Sequence, residues 1–301
     1  MGKLIGLVVL VVALLVLAVA VLVTSVLGAP SDAGAGSAAI ASSGHDPALP
    51  PAWVAWEQSA AATCPGLPWS VLAAVGTVES DSGRSTAPGV ASGSNAAGAQ
   101  GPMQFEPATF AAHATVGPGG ASPASPYDPV DAVYTAATLL CADGAGSASG
   151  LRSAVLAYNH SSTYADTVLT LSLAFAEDPT TDGAVVAALT FAASRLGTPY
   201  LWGGDGPGGF DCSGLSRAAF ATGGIGLPRV AQDQFDAGPP VPDGSPVHPG
   251  DLLFFGSGPR GVDHVGIYVG SGLMVDAPHT GAVVRVEPAA WNDLVGATRP
   301  G

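Results

Sequence analysis

The chain has 301 residues, 48% of them apolar, and carries 42 glycines and 26 prolines. That length accommodates two domains and a terminal segment, with long loops between compact elements. The formal net charge of −14 excludes nucleic acid as a partner, because phosphate binding needs clustered lysines and arginines.

Lys3 is the only lysine, and residues 4–27 carry no charge at all. As a helix this stretch reaches about 36 Å, enough to cross a bilayer with some tilt. Gly28-Ala29 offers a small-residue cleavage site, but Pro30 follows directly and hinders it. The sequence therefore favours an uncleaved, single-pass membrane anchor over residues 1–29, with a cleaved signal as the alternative. Lys3 marks the cytoplasmic end, so either version exports the rest of the chain. Residues 30–49 are Ala, Gly, Ser and Asp with almost nothing large, and read as a flexible tether.

Residues 50–176 read as an all-helical unit. Trp53 and Trp56 open it. Val71, Leu72, Val75 and Val78 fall at helical spacing and predict a helix over 69–79. A polar, glycine-rich loop covers 81–102, and further helices are predicted at 104–114, 128–142, 150–160 and 163–176. Residues 177–183 read as a short linker. The last unit, 184–301, begins with an amphipathic helix over 184–196. A glycine-rich turn over 199–210 and a helix over 212–222 follow. Strands are predicted at 252–255, 264–269, 273–276 and 282–286. Helices followed by an antiparallel sheet indicate an α+β fold.

The three cysteines are Cys64, Cys141 and Cys212. An odd count in an exported chain suggests one disulfide and one free thiol. Cys64 and Cys141 share the first unit, so their pairing leaves Cys212 free. Cys212 opens a predicted helix, where a helix N-terminus and a nearby imidazole favour the thiolate. A hairpin loop centred on Gly270 puts His264 directly opposite Asp276. A carboxylate there orients one imidazole nitrogen and leaves the other for the thiol proton. His279, beyond Pro278, is the rival third member. Residues 204–209 formally match G-x-G-x-x-G, but no strand leads into them and Pro207 interrupts them, so they read as a turn beside Cys212. The sequence has no H-E-x-x-H or paired-cysteine zinc pattern, and neither metal nor cofactor is expected.

Tyr200-Leu201-Trp202-Gly203-Gly204, then Phe210-Asp211-Cys212-Ser213-Gly214-Leu215, then His264-Val265-Gly266-Ile267-Tyr268 resemble the NlpC-type cell-wall peptidases. The resemblance covers about residues 184–300 and implies a papain-like fold that cuts peptidoglycan stem peptides. It implies Cys212 as nucleophile and His264 as base. The third polar position, often histidine in that family, falls on Asp276. Tyr200 is implied near the nucleophile, helping the Cys212 backbone N–H to stabilise an oxyanion.

Glu79 shares a helix face with Val71 and Val75. A carboxyl held against an apolar wall loses solvation and its pKa rises, which suits a general acid. Glu79-Ser80, then Gly98-Ala99-Gln100-Gly101-Pro102-Met103-Gln104-Phe105, then Ala157-Tyr158-Asn159 resemble the three motifs of the soluble lytic transglycosylases. This resemblance covers about residues 50–175 and implies a lysozyme-like fold. Glu79 would be the acid and later the base, with Gln104, Tyr158 and Asn159 lining a sugar cleft. Ser161 stands where that family usually has glycine. Neither Asp81 nor Glu106 has a clear claim as a second carboxylate. That favours an intramolecular route to an anhydro sugar over hydrolysis.

Together the two resemblances imply a hydrolase whose partners are peptidoglycan and, through the N-terminal helix, the cytoplasmic membrane. The glycan strand and the bond between D-glutamate and the diamino acid would both be cut. Such anchored pairs resemble the wall-piercing components of conjugation machines, which makes a secretion or conjugation complex a further expected partner. The alternatives are a hydrolase of wall growth or division, and a scaffold or sugar-gripping module beside an active peptidase.

Overall fold

The structure is a computed structural model that describes residues 48–301; the anchor and nearly all of the tether expected from the sequence lie outside the described residues. No described helix is long and apolar enough to cross a membrane.

Six helices make the first lobe: α1 (Pro51–Ala61), α2 (Trp69–Ser80), α3 (Pro107–His113), α4 (Pro129–Ala142), α5 (Ala148–Asn159) and α6 (Ser162–Glu177). Their starts are chemically marked. Pro51, Pro107 and Pro129 occupy first-turn positions, where a missing N–H costs nothing. Asp128 accepts from the N–H groups of Val130 and Asp131, Ser147 from Gly150 and Ser161 from Tyr164. The sequence pattern missed α1 because Glu57, a charged residue, is fully buried on its inner face. Cys64 and Cys141 form the expected disulfide, tying the turn after α1 to the end of α4.

The second lobe opens with α7 (Gly183–Ser194), capped by Asp182. A short hairpin, β1 (Asp205–Gly206) and β2 (Gly209–Phe210), leads into α8 (Cys212–Thr222) and then α9 (Ala231–Ala237). Five strands follow: β3 (Leu252–Gly256), β4 (Val262–Gly270), β5 (Leu273–Asp276), β6 (Arg285–Pro288) and β7 (Leu294–Thr298). They form one antiparallel sheet in the order β6-β5-β4-β3-β7. The sequence pattern missed α9 and β7, and it placed the fourth strand at 282–286, too early. Val265, Ile267 and Val269 join the main core, while Leu253, Phe255, Tyr268 and Met274 form a separate apolar cluster.

The hairpin register also differs from expectation. Ile267 pairs with Val275 and Tyr268 with Met274, whereas a turn centred on Gly270 would have paired Ile267 with Leu273. The physical reason is a bulge between Tyr268 and Gly270, which moves the turn onto Ser271 and Gly272.

The predicted linker is not a free connection. Its first residue, Glu177, ends α6, and its Oε2 accepts from the Ser271 N–H at 2.7 Å and the Tyr268 hydroxyl at 3.1 Å. A side chain at Gly270 would sit 2.8 Å from the Leu173 carbonyl, so glycine lets α6 pack onto the turn. The main apolar core runs through both lobes.

Candidate active sites

The first site is built on the start of α8. Asp211 is its N-cap: Oδ1 accepts from the Gly214 N–H at 2.8 Å, and Oδ2 accepts from the Gly203 N–H at 2.9 Å. Arg229 grips both carboxylate oxygens, at 2.9 and 2.8 Å, and also reaches Ser213 Oγ and the Gly204 carbonyl. A Cβ at Gly214 would lie 2.0 Å from the Gly204 carbonyl oxygen. Glycine there lets the helix start press against the 203–204 turn. This clamp fixes Cys212, which is free and half-buried. Sequence reasoning missed Asp211 and Arg229, although an aspartate directly before a helix is a recognisable cap signal.

Cys212 Sγ lies 4.0 Å from the Asp263 carbonyl, at the mouth of β4. The next residue, His264, is buried, and its Nε2 donates to Asp276 Oδ2 at 2.8 Å. Trp291, which sequence reasoning also missed, stacks on the imidazole with ring centroids 5.0 Å apart. Burial alone would lower the His264 pKa. Hydrogen bonds to Asp276 and Cys212, and their negative charges, outweigh it and raise the pKa to about 9. His279 is exposed, and its Nδ1 donates to the Thr280 carbonyl instead. The structure thus brings Cys212, His264 and Asp276 together and leaves His279 aside. Tyr200 is half-buried. Burial, then the charge of Cys212, raises its pKa, so its hydroxyl keeps its proton.

The second site lies on the last turn of α2. Burial pushes the Glu79 carboxyl up to about 7, and the nearby Tyr164 hydroxyl, which is buried without a hydrogen-bond partner of its own within bonding geometry, offsets part of the rise. Burial and then the charge of Glu79 push Tyr158 and Tyr164 well above the usual phenol value. The two rings stack with centroids 6.3 Å apart, and the Tyr158 hydroxyl donates to the Met103 carbonyl at 2.8 Å. Gln104 follows Met103 in a left-handed backbone conformation. Its Nε2 donates to the Gly101 carbonyl at 2.7 Å, and its Oε1 accepts from Asn95 at 2.9 Å. Asn159 is exposed at the end of α5, followed by His160 in the left-handed conformation. No hydrogen bond among the described residues ties Asn159 to the Glu79 cluster. Tyr164 and Asn95 carried no sequence signal that singled them out. Asp81 pairs with Arg84, and Glu106 is exposed at the start of α3.

Residues 197–294 match the family model described as NlpC/P60 family, and residues 58–167 match the one described as Transglycosylase SLT domain. A protein of Mycobacterium tuberculosis named "Probable endopeptidase" is 44% identical over 116 residues, which cover 38% of this chain and 29% of that protein. The gamma-D-glutamyl-L-lysine dipeptidyl-peptidase of Bacillus subtilis is 46% identical over 93 residues, 30% of this chain and 31% of the enzyme. The chain therefore spans less than a third of the length of these curated relatives. The crystal structure of a P60 domain from Mycobacterium avium subspecies paratuberculosis is 37% identical. It aligns with 38% of this chain and 93% of that domain, with a TM-score of 0.36. The chain thus joins a transglycosylase SLT domain, at residues 58–167, to an NlpC/P60 domain, at residues 197–294.

Proposed function

We propose that the chain is a bifunctional peptidoglycan hydrolase. Its papain-like lobe cuts the stem peptide between D-glutamate and the diamino acid. Its lysozyme-like lobe cuts the glycan strand. The observation that carries the reading is a buried His264–Asp276 pair, 2.8 Å apart, beside the free thiol of Cys212.

That arrangement supports the peptide cut. His264 gives one nitrogen to Asp276 and keeps Nδ1 for Cys212. An imidazolium persisting to about pH 9 favours a thiolate beside it. Cys212 Sγ attacks the scissile carbonyl carbon, and the backbone N–H of Cys212 with the Tyr200 hydroxyl holds the oxyanion. His264 then protonates the leaving amine. Water, deprotonated by His264, opens the thioester, and the stem peptide leaves as a carboxylate. The γ-glutamyl peptidase name borne by the Bacillus subtilis relative supports this bond as the target.

The glycan cut uses one carboxyl. A Glu79 pKa of about 7 keeps a large share protonated at neutral pH, ready to give its proton to the glycosidic oxygen. The resulting carboxylate accepts the proton of the muramoyl 6-hydroxyl as that oxygen closes on C1. Asp81 is engaged by Arg84 and Glu106 is exposed, which supports this intramolecular route over one needing a second carboxylate. Gln104, Tyr158 and Asn159 would line the sugar cleft.

On this reading residues 1–29 hold the chain at the cytoplasmic membrane, or are cleaved, and both lobes work outside the cell. Tethering would confine cutting to nearby wall by raising effective concentration there. A conjugation or secretion complex that must pierce the wall is the setting we propose.

The test is product mass spectrometry on purified wall treated with wild type, Glu79→Gln and Cys212→Ser. Wild type should give anhydro-muramoyl ends and new diamino-acid amino termini. Glu79→Gln should lose only the first product, and Cys212→Ser only the second. Equal products from all three proteins would defeat both assignments.

A further inference from the structure

The third member of the cysteine site has a loose end. Asp276 is fully buried and its Oδ2 holds His264, yet its Oδ1 is buried without a hydrogen-bond partner. A carboxylate oxygen stripped of water and left unpaired is costly. A second orphan of the same kind is Glu287 Oε1. The strand register puts the two side chains near each other. Met274 pairs with Glu287 and Asp276 with Arg285, so Glu287 is the diagonal neighbour of Asp276 on the same sheet face. Long side chains at diagonal positions can meet.

The other Glu287 oxygen is already taken. Arg285 Nε donates to Oε2 at 2.9 Å, and its Nη2 lies 2.7 Å away. The two orphaned oxygens then decide the state of the pair. Arg285 pairs with Glu287 Oε2, and His264 pairs with Asp276 Oδ2. An ionised Glu287 would set a bare Oε1 against the equally bare Oδ1 of a buried carboxylate. Burial, then the Asp276 charge, raises the Glu287 pKa, while Arg285 pulls the other way. A proton on Glu287 removes that repulsion and supplies the donor that Asp276 lacks.

We propose that Glu287 is a positioning residue for the cysteine site, donating a proton-bearing Oε1 to Asp276 Oδ1 and so fixing the carboxylate that holds His264. The inference rests on the peptidase reading above. The charged groups around Glu287 are Asp276 and Arg285, with His264 and Cys212 beyond them. Losing the proton as pH rises sets two carboxylates against each other and loosens the hold on the imidazole.

The test uses the full chain with Glu287→Gln and Glu287→Leu. One readout is kcat and KM for stem-peptide cleavage between pH 5 and 10. The other is the rate of Cys212 alkylation by iodoacetamide over the same range, which needs no substrate. Glu287→Gln keeps a donor N–H, so kcat at pH 7 should stay within about threefold of wild type and any fall with rising pH that Glu287 causes should shift. Glu287→Leu has no donor. It should lower kcat by about tenfold or more at unchanged KM and slow alkylation. Equal behaviour of the two variants, or pH profiles that both match wild type, would overturn the proposal. If wild type cleaves no stem peptide, the peptidase reading fails, and the alkylation profiles still decide the role of Glu287.

Discussion

Asp276 reaches His264 along a diagonal of the sheet, 2.8 Å from carboxylate to imidazole, and not across a rung. Extending the register of Ile267 with Val275 puts Gly266 beside Asp276. The glycine contributes no side chain between the two. The bulge after Tyr268 moved the pairing by an even number of positions, so both side chains stayed on one face. A shift by one residue would have separated them.

That pairing predicts a measurable effect of Asp276→Asn. The charge that raises His264 is lost, so its pKa should fall from about 9 toward the ordinary value near 6.5. The sign for stability follows. A folded-state pKa above the unfolded one adds stability that is complete below about pH 6.5 and lost as pH rises through about 9. Asp276→Asn should therefore be less stable than wild type near pH 6, with the gap narrowing by pH 10. NMR titration of His264 and denaturant unfolding at several pH values would check this. Peptide cleavage should drop by about a hundredfold or more.

Glu79 gives a second pH signature. Its acid form declines as pH rises through about 7, so glycan cleavage should decline over the same interval. The Tyr164 hydroxyl lowers this pKa, so Tyr164→Phe should move the decline to higher pH. Release of anhydro-muramoyl ends across pH 5–9 would measure both. Peptide cleavage by the same protein should not follow that shift.

Glu57 carries a stability cost. It is fully buried, neither of its oxygens has a partner, and burial raises its pKa to about 8. The unfolded chain ionises this group above about pH 4.5 and the folded chain does not, so stability drains away between about pH 4.5 and 8. Glu57→Gln should match wild type near pH 4 and exceed it by about 3 kcal/mol near pH 7. Urea unfolding at the two pH values would show whether the difference opens with pH.

The disulfide between Cys64 and Cys141 closes a span of 77 residues. Chain-entropy arguments give about 4 kcal/mol for a loop of that length. Replacing both cysteines by alanine should lower the unfolding free energy by roughly that amount, and thiol counting on folded wild type should find one reactive thiol, Cys212.

The sequence made the chemistry more legible than the geometry around it. Cys212, His264 and Glu79 were readable because each sits at a helix start, in a strand or on an apolar helix face, and because each falls within a motif that resembles a known family; position alone would not have singled out Glu79. The pairing of Cys64 with Cys141 followed from an odd count and shared location. Other features depend on where the chain returns in space. Trp291 stacks on His264 from more than twenty residues away, and Tyr164 faces Glu79 across two helices. Arg229 reaches the Asp211 cap from the loop after α8. Helix α1 escaped notice because its buried Glu57 broke the apolar pattern. The docking of α6 onto the 270–272 turn escaped notice because it is made by Glu177, a residue that reads as linker.

The measurement closest to the central claim is the rate of Cys212 alkylation at pH 7 in wild type and in His264→Ala. A thiolate held by the raised imidazole should react rapidly in wild type and about a hundredfold more slowly once His264 is gone. An inert Cys212 in wild type, or equal rates in the two proteins, would contradict the account.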